Sequence, residues 1–422
     1  MAGKPSRGLA DVVVASTAVS DIDRLHGRLS YRGYDIGQLA GSVTFEEVAY
    51  LLQRGGPPGP AELAAYRAEL AAGQQLGPAV RASLPAVARA QPPMAALRTL
   101  VSLAAADDPG ADDPGADGPG ADDPGAAPGA PGAPGRPRDP GDPAARPGGS
   151  EPGSDDQGAA QGGLGTAARL TAQQPVLVAA VQAARDGTPR PGPDPGLGLA
   201  ANFLLQLTGQ VPGERAAEIL DTCLVLQADH LMAASTFAAR VCAATLADMH
   251  AAVVAALAAL SGRLHGGANE QVMQDLAAAR AAGGDPVAAA EAQVTARLRG
   301  GEQIAGFGHR AYLGRDPRAD LLREMSAELA AGADDTYHRM AARIEGIVLA
   351  ERGLYPNADF YAATAYHYLG IPPGLRTPVL SVARMAGWTA HIIEQQADNR
   401  LIRPGSAYVG ETGLTWIPAA GR

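Results

Sequence analysis

Residues 215–262 read RAAEILDTCLVLQADHLMAASTFAARVCAATLADMHAAVVAALAALSG, and this stretch decides the fold class. Alanine and leucine dominate it, and both residues favour helix. The stretch is too long for a single surface helix, so it predicts two or more helices in succession. Its second part is apolar on all sides, which is typical of a helix that lies inside a protein.

Other segments carry the same helical signals. In TFEEVAYLLQRG (44–55), Thr44 is a candidate N-cap, Glu47 completes a capping box, and glycines follow the last turn. The segments AELAAYRAELAAG, AANFLLQLTG and DLLREMSAELAAG repeat this pattern. Strand signals are weak, and LSYRGYDI (29–36) predicts no more than a short ribbon. The sequence therefore predicts an all-α fold.

Length, charge and cysteine content narrow the class of protein. The chain has 422 residues, a net charge of −10 and two cysteines, Cys223 and Cys242. It shows no basic pattern for nucleic acid and no Cys/His spacing for zinc or a disulfide framework. It also lacks a leader signature and any run of about 18 apolar residues. We therefore expect a cytoplasmic protein that binds neither nucleic acid nor membrane.

A low-complexity tract interrupts the helical sequence. Residues 107–125 read DDPGADDPGADGPGADDPG, and a segment rich in Ala, Pro, Gly and Asp follows. Frequent proline and the scarcity of apolar residues predict an unstructured insertion over 106–163. Calcium binding is a minor alternative, because the aspartates follow neither EF-hand nor calcium-nonapeptide spacing.

Three histidines and one aspartate are candidates for catalysis. His230 lies in QADHLMAASTF, His265 in RLHGGANE and His309 in IAGFGHRAYLG. The last two adjoin glycines, which permit close backbone approach. Asp359 follows the Pro-Asn turn of LYPNADFYAA and precedes two aromatic residues. A structural role for each histidine and an N-cap role for Asp359 are the alternatives to acid–base chemistry.

Three arginines are candidates for binding an anionic substrate. Arg318 lies in RDPRAD, Arg384 in SVARMAGWTAHIIEQ and Arg403 in NRLIRPGSAY. Guanidinium groups bind carboxylates in a bidentate manner, and solvated surface charge is the alternative for each. The chain has no glycine-rich nucleotide loop and no nucleophile elbow. The residues alone thus predict a helical enzyme that acts on a small acid.

The order of these segments resembles that of one protein family. LSYRGYDI, FEEVAYLL, ADHxxxASTF, LHGGANE, GFGHRxY with DPRAD, YPNxDFY, and GWTAHIIEQ with NRLIRP follow one another as in the citrate synthase family. The similarity covers about 8–105 and 164–412, and it is strongest to the small bacterial and archaeal type, which includes the 2-methylcitrate synthases. It implies an acyltransferase that condenses acetyl-CoA with oxaloacetate and water, or a 2-methylcitrate synthase that uses propionyl-CoA.

The resemblance also implies an architecture. It predicts an all-α homodimer in which a smaller, mobile helical domain closes over a large helical domain. The large domain would comprise 1–105, 164–269 and 373–422, and the small domain 270–372, with the insertion at 106–163. A dimer is expected rather than the hexamer of NADH-inhibited relatives. No metal or tightly bound cofactor is implied, because the CoA thioester is a substrate.

Residue roles follow from the resemblance one position at a time. His265 would donate a hydrogen bond to the thioester carbonyl, Asp359 would remove the α-proton of the acyl group, and His309 would polarise the oxaloacetate ketone. Oxaloacetate would be held by His230, Arg318, Arg384 and, from the partner subunit, Arg403. CoA would contact Gly266, Gly267, Gly306 and Arg352.

The sequence departs from the family pattern at several positions. Leu231 and Ala233 replace the Glu and Asn of HExNASTF, and Leu313 replaces a basic residue that contacts CoA phosphates. Arg315 or Arg352 could take over that phosphate contact. These departures imply altered affinity or acyl preference, and they leave open a degenerate paralogue that binds acyl-CoA or a dicarboxylate without turnover. A third alternative makes the low-complexity tract a partner-binding arm.

Overall fold

The computed structural model describes residues 7–9, 12–110, 154–416 and 419, with the backbone alone for residues 7 and 154–162. In these residues the chain forms sixteen α-helices and one small sheet, which confirms the all-α prediction. The helices are α1 (Ile36–Leu39), α2 (Phe45–Arg54), α3 (Pro60–Gly73), α4 (Pro78–Ala90), α5 (Pro93–Ala104), α6 (Ser154–Asp186), α7 (Leu199–Thr208), α8 (Glu214–Gln227), α9 (Ala234–Ala243), α10 (Met249–Leu260), α11 (Ala268–Ala281), α12 (Pro286–Arg299), α13 (Pro317–Ala331), α14 (Thr336–Arg352), α15 (Ala358–Tyr368) and α16 (Arg376–Ala397).

The stretch 215–262 forms three consecutive helices, α8 to α10, so the prediction of more than one helix is confirmed. The loop between α8 and α9 carries His230. Between α9 and α10 the chain turns at Leu246, which adopts a φ of 62°. The Asp248 side chain then caps α10 by accepting from the Ala251 N–H at 2.8 Å. Helix α10 packs against α5, α9 and α16, which explains its apolar composition.

Helix α2 has the predicted capping box. The Glu47 carboxylate accepts from the Thr44 N–H at 2.8 Å, and the Thr44 hydroxyl accepts from the Glu47 N–H at 3.4 Å. At the other end Gly55 adopts a left-handed φ of 88°, a conformation that glycine takes without a steric cost. The structure therefore confirms the N-terminal and C-terminal limits that the sequence predicts for this helix.

The predicted ribbon is part of a three-stranded antiparallel sheet. Strand β2 (Arg28–Tyr31) pairs with β1 (Ser20–Asp23) on one side and with β3 (Tyr34–Asp35) on the other. Tyr31 is buried, and its hydroxyl donates to the Val225 carbonyl at 3.2 Å, at the end of α8. The sheet thus supports the chain just before the His230 loop.

Helix α16 lies at the centre of the larger group of helices. It packs against α2, α6, α8, α9 and α10, and its buried residues include Trp388 and Arg384. A second group, α11 to α15, packs mainly within itself: α11 against α12 and α15, α12 against α14, and α13 against α15. In the described ranges, no helix combines the length and apolarity needed to cross a bilayer.

Most of the predicted insertion at 106–163 lies outside the described residues, but both of its ends are described. A 3-10 turn, Ala105–Asp107, covers its first residues, and the Asp107 carboxylate accepts from the Ala79 N–H at 3.1 Å near the start of α4. Helix α6 begins at Ser154, so the last part of the predicted unstructured segment is helical. The last proline of the tract is Pro152, and helix becomes possible directly after it.

Candidate active site

The four candidate catalytic residues come from segments that lead into, or begin, four different helices, and they cluster in one place. His230 precedes α9, His265 precedes α11, His309 precedes α13, and Asp359 lies in the first turn of α15. The ring centroids of His230 and His309 are 4.9 Å apart. Burial lowers the pKa of both His265 and His309, and the positive charge of Arg384 lowers both further; burial raises the pKa of Asp359, and Arg384 opposes that rise. One cation therefore lies near all of these groups.

The hydrogen-bond partners of His265 fix the position of its proton. The Ser235 backbone N–H, which can only donate, lies 3.3 Å from Nε2, and the Ser235 hydroxyl lies 2.8 Å from the same atom. Trp388 Nε1 donates to that hydroxyl oxygen at 3.1 Å, so the hydroxyl proton is free for the imidazole. Burial and Arg384 lower the pKa of His265 to about 4. The ring is therefore neutral at neutral pH, with its proton on Nδ1.

His309 is fixed in the opposite tautomer. The Ala311 backbone N–H donates to His309 Nδ1 at 2.8 Å, so Nδ1 is an acceptor and the proton resides on Nε2. Burial and the adjacent Arg318 lower the pKa of His309 to about 4. His309 is thus a second neutral imidazole with one N–H free for a ligand.

The rings of His309 and Tyr312 both contact His230. His230 Nε2 lies 3.1 Å from the Tyr312 hydroxyl, and the ring centroids of His230 and Tyr312 are 5.6 Å apart. Burial, together with Arg318 and Arg384, holds the pKa of His230 well below its ordinary value. This third imidazole is also neutral at neutral pH.

Asp359 does not cap its helix. The N-cap of α15 is Asn357, whose side chain accepts from the Asp359 N–H at 3.0 Å. No donor among the described residues bonds the Asp359 carboxylate. Burial raises the pKa of Asp359 to about 6, against the opposing effect of Arg318. Such a carboxylate is ionised at neutral pH and is more basic than an exposed aspartate, which suits a general base.

Arg318 and Arg384 are buried cations with different partners. Asp316 accepts from Arg318 Nε at 2.9 Å and from Nη2 at 2.8 Å, and it also accepts from the Ala358 N–H at 2.9 Å. Arg384 Nε donates to the Gln227 carbonyl at 3.0 Å. Its Nη1 is buried without a partner in the described part of the chain. A buried unpaired guanidinium nitrogen is costly, so it indicates a site for an anionic ligand.

The other predicted arginines are exposed, unlike Arg318 and Arg384. Arg403 is exposed on the extended segment after α16. Arg352 is exposed at the end of α14 and donates to the Leu298 carbonyl at 2.5 Å. Arg315 lies over the Tyr355 ring, with 5.2 Å from its guanidinium carbon to the ring centroid. The role of Arg403 in a partner's site stays a prediction.

The glycines predicted to contact CoA are needed for packing. A Cβ on Gly266 would lie 2.5 Å from the Leu260 carbonyl oxygen, and a Cβ on Gly306 would lie 2.9 Å from the Phe360 Cβ. Of Gly266, Gly267 and Gly306, only Gly306 has a positive φ, at 79°. Conformational freedom therefore explains one of these positions, and close approach of neighbouring backbone or side chains explains the others.

Sequence reasoning missed three residues that hold the site: Ser235, Tyr312 and Asp316. Each lies inside a motif that was singled out for another residue. The Asp-Pro pair at 316–317 is a helix-start signal and could have identified Asp316 as a cap. No local pattern links Ser235 to His265, which is 30 positions away.

The arrangement suits the removal of a weakly acidic proton next to a carbonyl group. Asp359 can accept the proton, and a neutral imidazole N–H can stabilise the oxygen that gains charge. Arg318 and Arg384 can bind the carboxylates of a small acid. Among the described residues, no group of three or more His, Cys, Asp or Glu side chains is arranged to hold a metal ion.

Comparison with known proteins decides the family. A family model described as citrate synthase, C-terminal domain, matches residues 8–123 and 149–405. The chain belongs to the citrate synthase family. Residues 124–148, which the family model leaves unmatched, lie inside the low-complexity tract.

Individual members of the citrate synthase family match almost the whole chain. A citrate synthase of Haloferax volcanii is 40% identical over 99% of this chain and 99% of its own length. A 2-methylcitrate synthase of Shewanella oneidensis is 34% identical over 98% of this chain and 97% of its own. The crystal structure of Pyrobaculum aerophilum citrate synthase superposes with a TM-score of 0.82 at 34% identity, covering 98% of this chain and 95% of that one.

A liganded structure of the citrate synthase family also matches. The Thermoplasma acidophilum citrate synthase, solved as a ternary complex with carboxymethyl coenzyme A and oxaloacetate, has a TM-score of 0.82 at 26% identity. The match covers 99% of this chain and 100% of that one. These similarities confirm the predicted citrate synthase fold and the prediction that the chain is an acyltransferase of this family.

Proposed function

We propose that this enzyme condenses acetyl-CoA with oxaloacetate and water to give citrate and CoA. The observation that carries the proposal is the Asp359 carboxylate, which has a pKa of about 6 and no protein donor among the described residues. It shares its surroundings with two neutral imidazoles, those of His265 and His309, and with Arg384. The named relatives and the liganded structure support the same chemistry.

The first step is enolisation of the acetyl group. Asp359 takes a proton from the methyl carbon while His265 Nδ1–H donates to the thioester oxygen. An acetyl C–H is a very weak acid, so the carboxylate needs this partner, and a donor of this kind contributes about 3 kcal/mol to the lowering of the barrier. The neutral state of His265 matters here, because it leaves the Nδ1 proton on the ring.

The second step forms the carbon–carbon bond. The enolised methyl carbon attacks the ketone carbon of oxaloacetate, and His309 Nε2–H donates to the ketone oxygen and protonates it as the alkoxide forms. The proton that Asp359 took from the methyl group balances the one that His309 gives up, and its return to the ring restores both residues for the next turnover. Arg318 and Arg384, with His230, hold the two carboxylates of oxaloacetate. Water then cleaves the thioester of the citryl-CoA intermediate, which releases CoA as a thiol together with citrate. No metal or tightly bound cofactor takes part in this scheme.

A thiol-release assay tests the reaction. Purified enzyme with acetyl-CoA and oxaloacetate should release one CoA thiol per citrate formed, and neither substrate alone should give release. A His265→Ala variant should lose most of this activity. Saturable binding of oxaloacetate or acetyl-CoA without any thiol release would favour the degenerate paralogue and would refute the proposal.

The second candidate function is 2-methylcitrate synthesis from propionyl-CoA. The Shewanella oneidensis relative supports it, and the departures at Leu231 and Ala233, close to His230, are compatible with an altered acyl preference. The two acyl groups differ by one methylene, which a pocket discriminates by only about 1–3 kcal/mol. Comparing kcat/KM for the two thioesters decides the matter, and a preference of tenfold or more for propionyl-CoA would make this the main function.

We propose that the enzyme works as a homodimer in the cytoplasm. The segment after α16 exposes the apolar residues Tyr408, Val409 and Leu414, which a second subunit could cover. Arg403 lies on the same segment and would enter the partner's site.

Two measurements test the dimer and the role of Arg403. Light scattering should give the mass of two subunits, and a hexamer would contradict the proposed dimer. Arg403→Ala should raise the KM for oxaloacetate without changing the dimer.

CoA is proposed to bind between the Gly266–Gly267 turn and the Gly306 loop, with Arg352 near its phosphates. The group α11 to α15 would be the mobile domain, approximately 270–372, that closes over oxaloacetate to complete this site. Arg352→Ala should raise the KM for acetyl-CoA and leave the KM for oxaloacetate unchanged. Equal effects on both KM values would contradict this assignment.

A further inference from the structure

Tyr312 contacts two of the site histidines. Its hydroxyl lies 3.1 Å from His230 Nε2, and its ring centroid lies 4.8 Å from that of His309. Only 3% of its surface is exposed. The preceding residue, Ala311, supplies the N–H that bonds His309 Nδ1. Ala311 and Tyr312 together therefore contact the imidazoles of both His230 and His309.

The Tyr312 hydroxyl differs from the donors that fix the other two histidines. His265 and His309 each accept from a backbone N–H, which can only donate. A tyrosine hydroxyl can donate or accept. Within the described residues, however, its one hydrogen-bond partner is His230 Nε2. If Nε2 carried the imidazole proton, the hydroxyl proton would be buried without an acceptor, which is unfavourable. The hydroxyl therefore donates, and the His230 proton lies on Nδ1.

The ligand requires the same tautomer. His230 Nδ1 has no partner among the described residues, and it is not enclosed by the protein. Oxaloacetate offers only acceptors, on its carboxylates and its ketone, so a ring nitrogen that faces it must carry a proton. We propose that Tyr312 is a positioning residue whose hydroxyl holds His230 as the Nδ1–H tautomer, ready to donate to oxaloacetate. The identity of the ligand rests on the proposed function, whereas the tautomer does not.

The test compares Tyr312→Phe with Tyr66→Phe. Each variant removes one buried hydroxyl, and that of Tyr66 donates to Gln53 in the larger helical group, away from the histidines. In wild-type enzyme labelled with ¹⁵N-histidine, the His230 signals, assigned by their loss in His230→Asn, should show Nδ1–H alone. Tyr312→Phe should give a mixture of tautomers, and its KM for oxaloacetate should rise about tenfold with kcat changed less than about twofold. Tyr66→Phe should leave the tautomer and both constants unchanged.

Two results would overturn the proposal. The first is an Nε2–H tautomer of His230 in the free wild-type enzyme, a result that does not depend on whether the Tyr312→Phe variant folds. An unchanged tautomer and an unchanged KM in Tyr312→Phe would reduce Tyr312 to a packing role. Failure of the proposed function is a separate result, because it would appear as absent thiol release in the wild-type enzyme while the tautomer of its free form could still be measured.

Discussion

The two halves of the site hold their residues in different ways. One half depends on partners that are distant in sequence: Ser235 lies 30 residues from His265, and Gln227 lies 157 residues from Arg384. The other half is held by contacts two residues along the chain, namely His309 with Ala311, Arg318 with Asp316, and Asp359 with Asn357. The first half is thus built by the tertiary fold, and the second largely by its own segments.

This difference suits the proposed movement of the smaller helical group. A side chain held by its own segment keeps its geometry when that segment shifts, whereas one held by a distant helix does not. Asp316 extends the local arrangement, because its carboxylate bonds both Arg318 and the Ala358 N–H at the start of the helix that carries Asp359. Arg318 and the helix that carries Asp359 are thereby tied to one another, which would let the proposed substrate-binding arginine and the proposed base move as a unit.

The largest expected effect is that of Asp359→Asn, in the locally held half. The amide cannot accept the methyl proton, so kcat should fall about 10³-fold. The fold should be unaffected, because no described donor depends on this carboxylate and burial already disfavours its charge. The check is thiol release together with thermal unfolding, with the exposed Asp335→Asn as the control. A loss of less than tenfold would mean that another group is the base.

Ser235→Ala tests the half that is held over long distances. It removes the hydroxyl that bonds His265 Nε2 and accepts from Trp388, so His265 should lose its fixed orientation and kcat should fall about 10–100-fold, or roughly 1.4–2.8 kcal/mol at 1.4 kcal/mol per tenfold change. Ser381→Ala is the matched control, since Ser381 is equally buried and bonds Gln174. Both variants should lose about 1 kcal/mol of stability. A similar loss of kcat in both would show a general effect of packing.

The same contrast explains what the sequence could and could not predict. Helix limits such as those of α2 follow from caps within a few residues, and His265, His309 and Asp359 were visible through their glycine and turn neighbours. The N-cap alternative for Asp359 failed only because Asn357, two residues earlier, already fills that position. Ser235 could not be found in this way, because its contact with His265 exists only once α9 and the turn before α11 have packed together.

The acid limb of the pH profile provides a smaller but direct test. Asp359 must be ionised to act as a base, so kcat/KM should fall about tenfold per pH unit below its pKa of about 6. The pKa values of His265 and His309, about 4, keep both rings neutral across that limb, so they should add no second step between pH 5 and 8. Initial rates over this range test the assignment. A profile that stays flat down to pH 5 would contradict it.

The smallest effect expected is on stability, in the loop before His309. Gly306 and Gly308 both adopt positive φ, at 79° and 73°, so alanine at either position incurs left-handed strain of about 1–2 kcal/mol. Their surroundings differ: a Cβ at 306 would lie 2.9 Å from the Phe360 Cβ, whereas one at 308 would meet nothing closer than a Leu354 methyl at 3.8 Å. Gly306→Ala should therefore lower the free energy of unfolding more than Gly308→Ala, as measured by urea denaturation.

The same pair of variants should separate in activity. Phe360 follows Asp359 directly, so the displacement forced by Gly306→Ala reaches the base, and kcat should fall in that variant more than in Gly308→Ala. If the two variants lost equal stability and equal kcat, backbone strain alone would account for the glycines, and the packing of Gly306 on Phe360 would have no part in holding Asp359. That outcome would also weaken the view that the locally held half is one unit, because the loop that carries His309 meets helix α15 at Gly306 and Phe360.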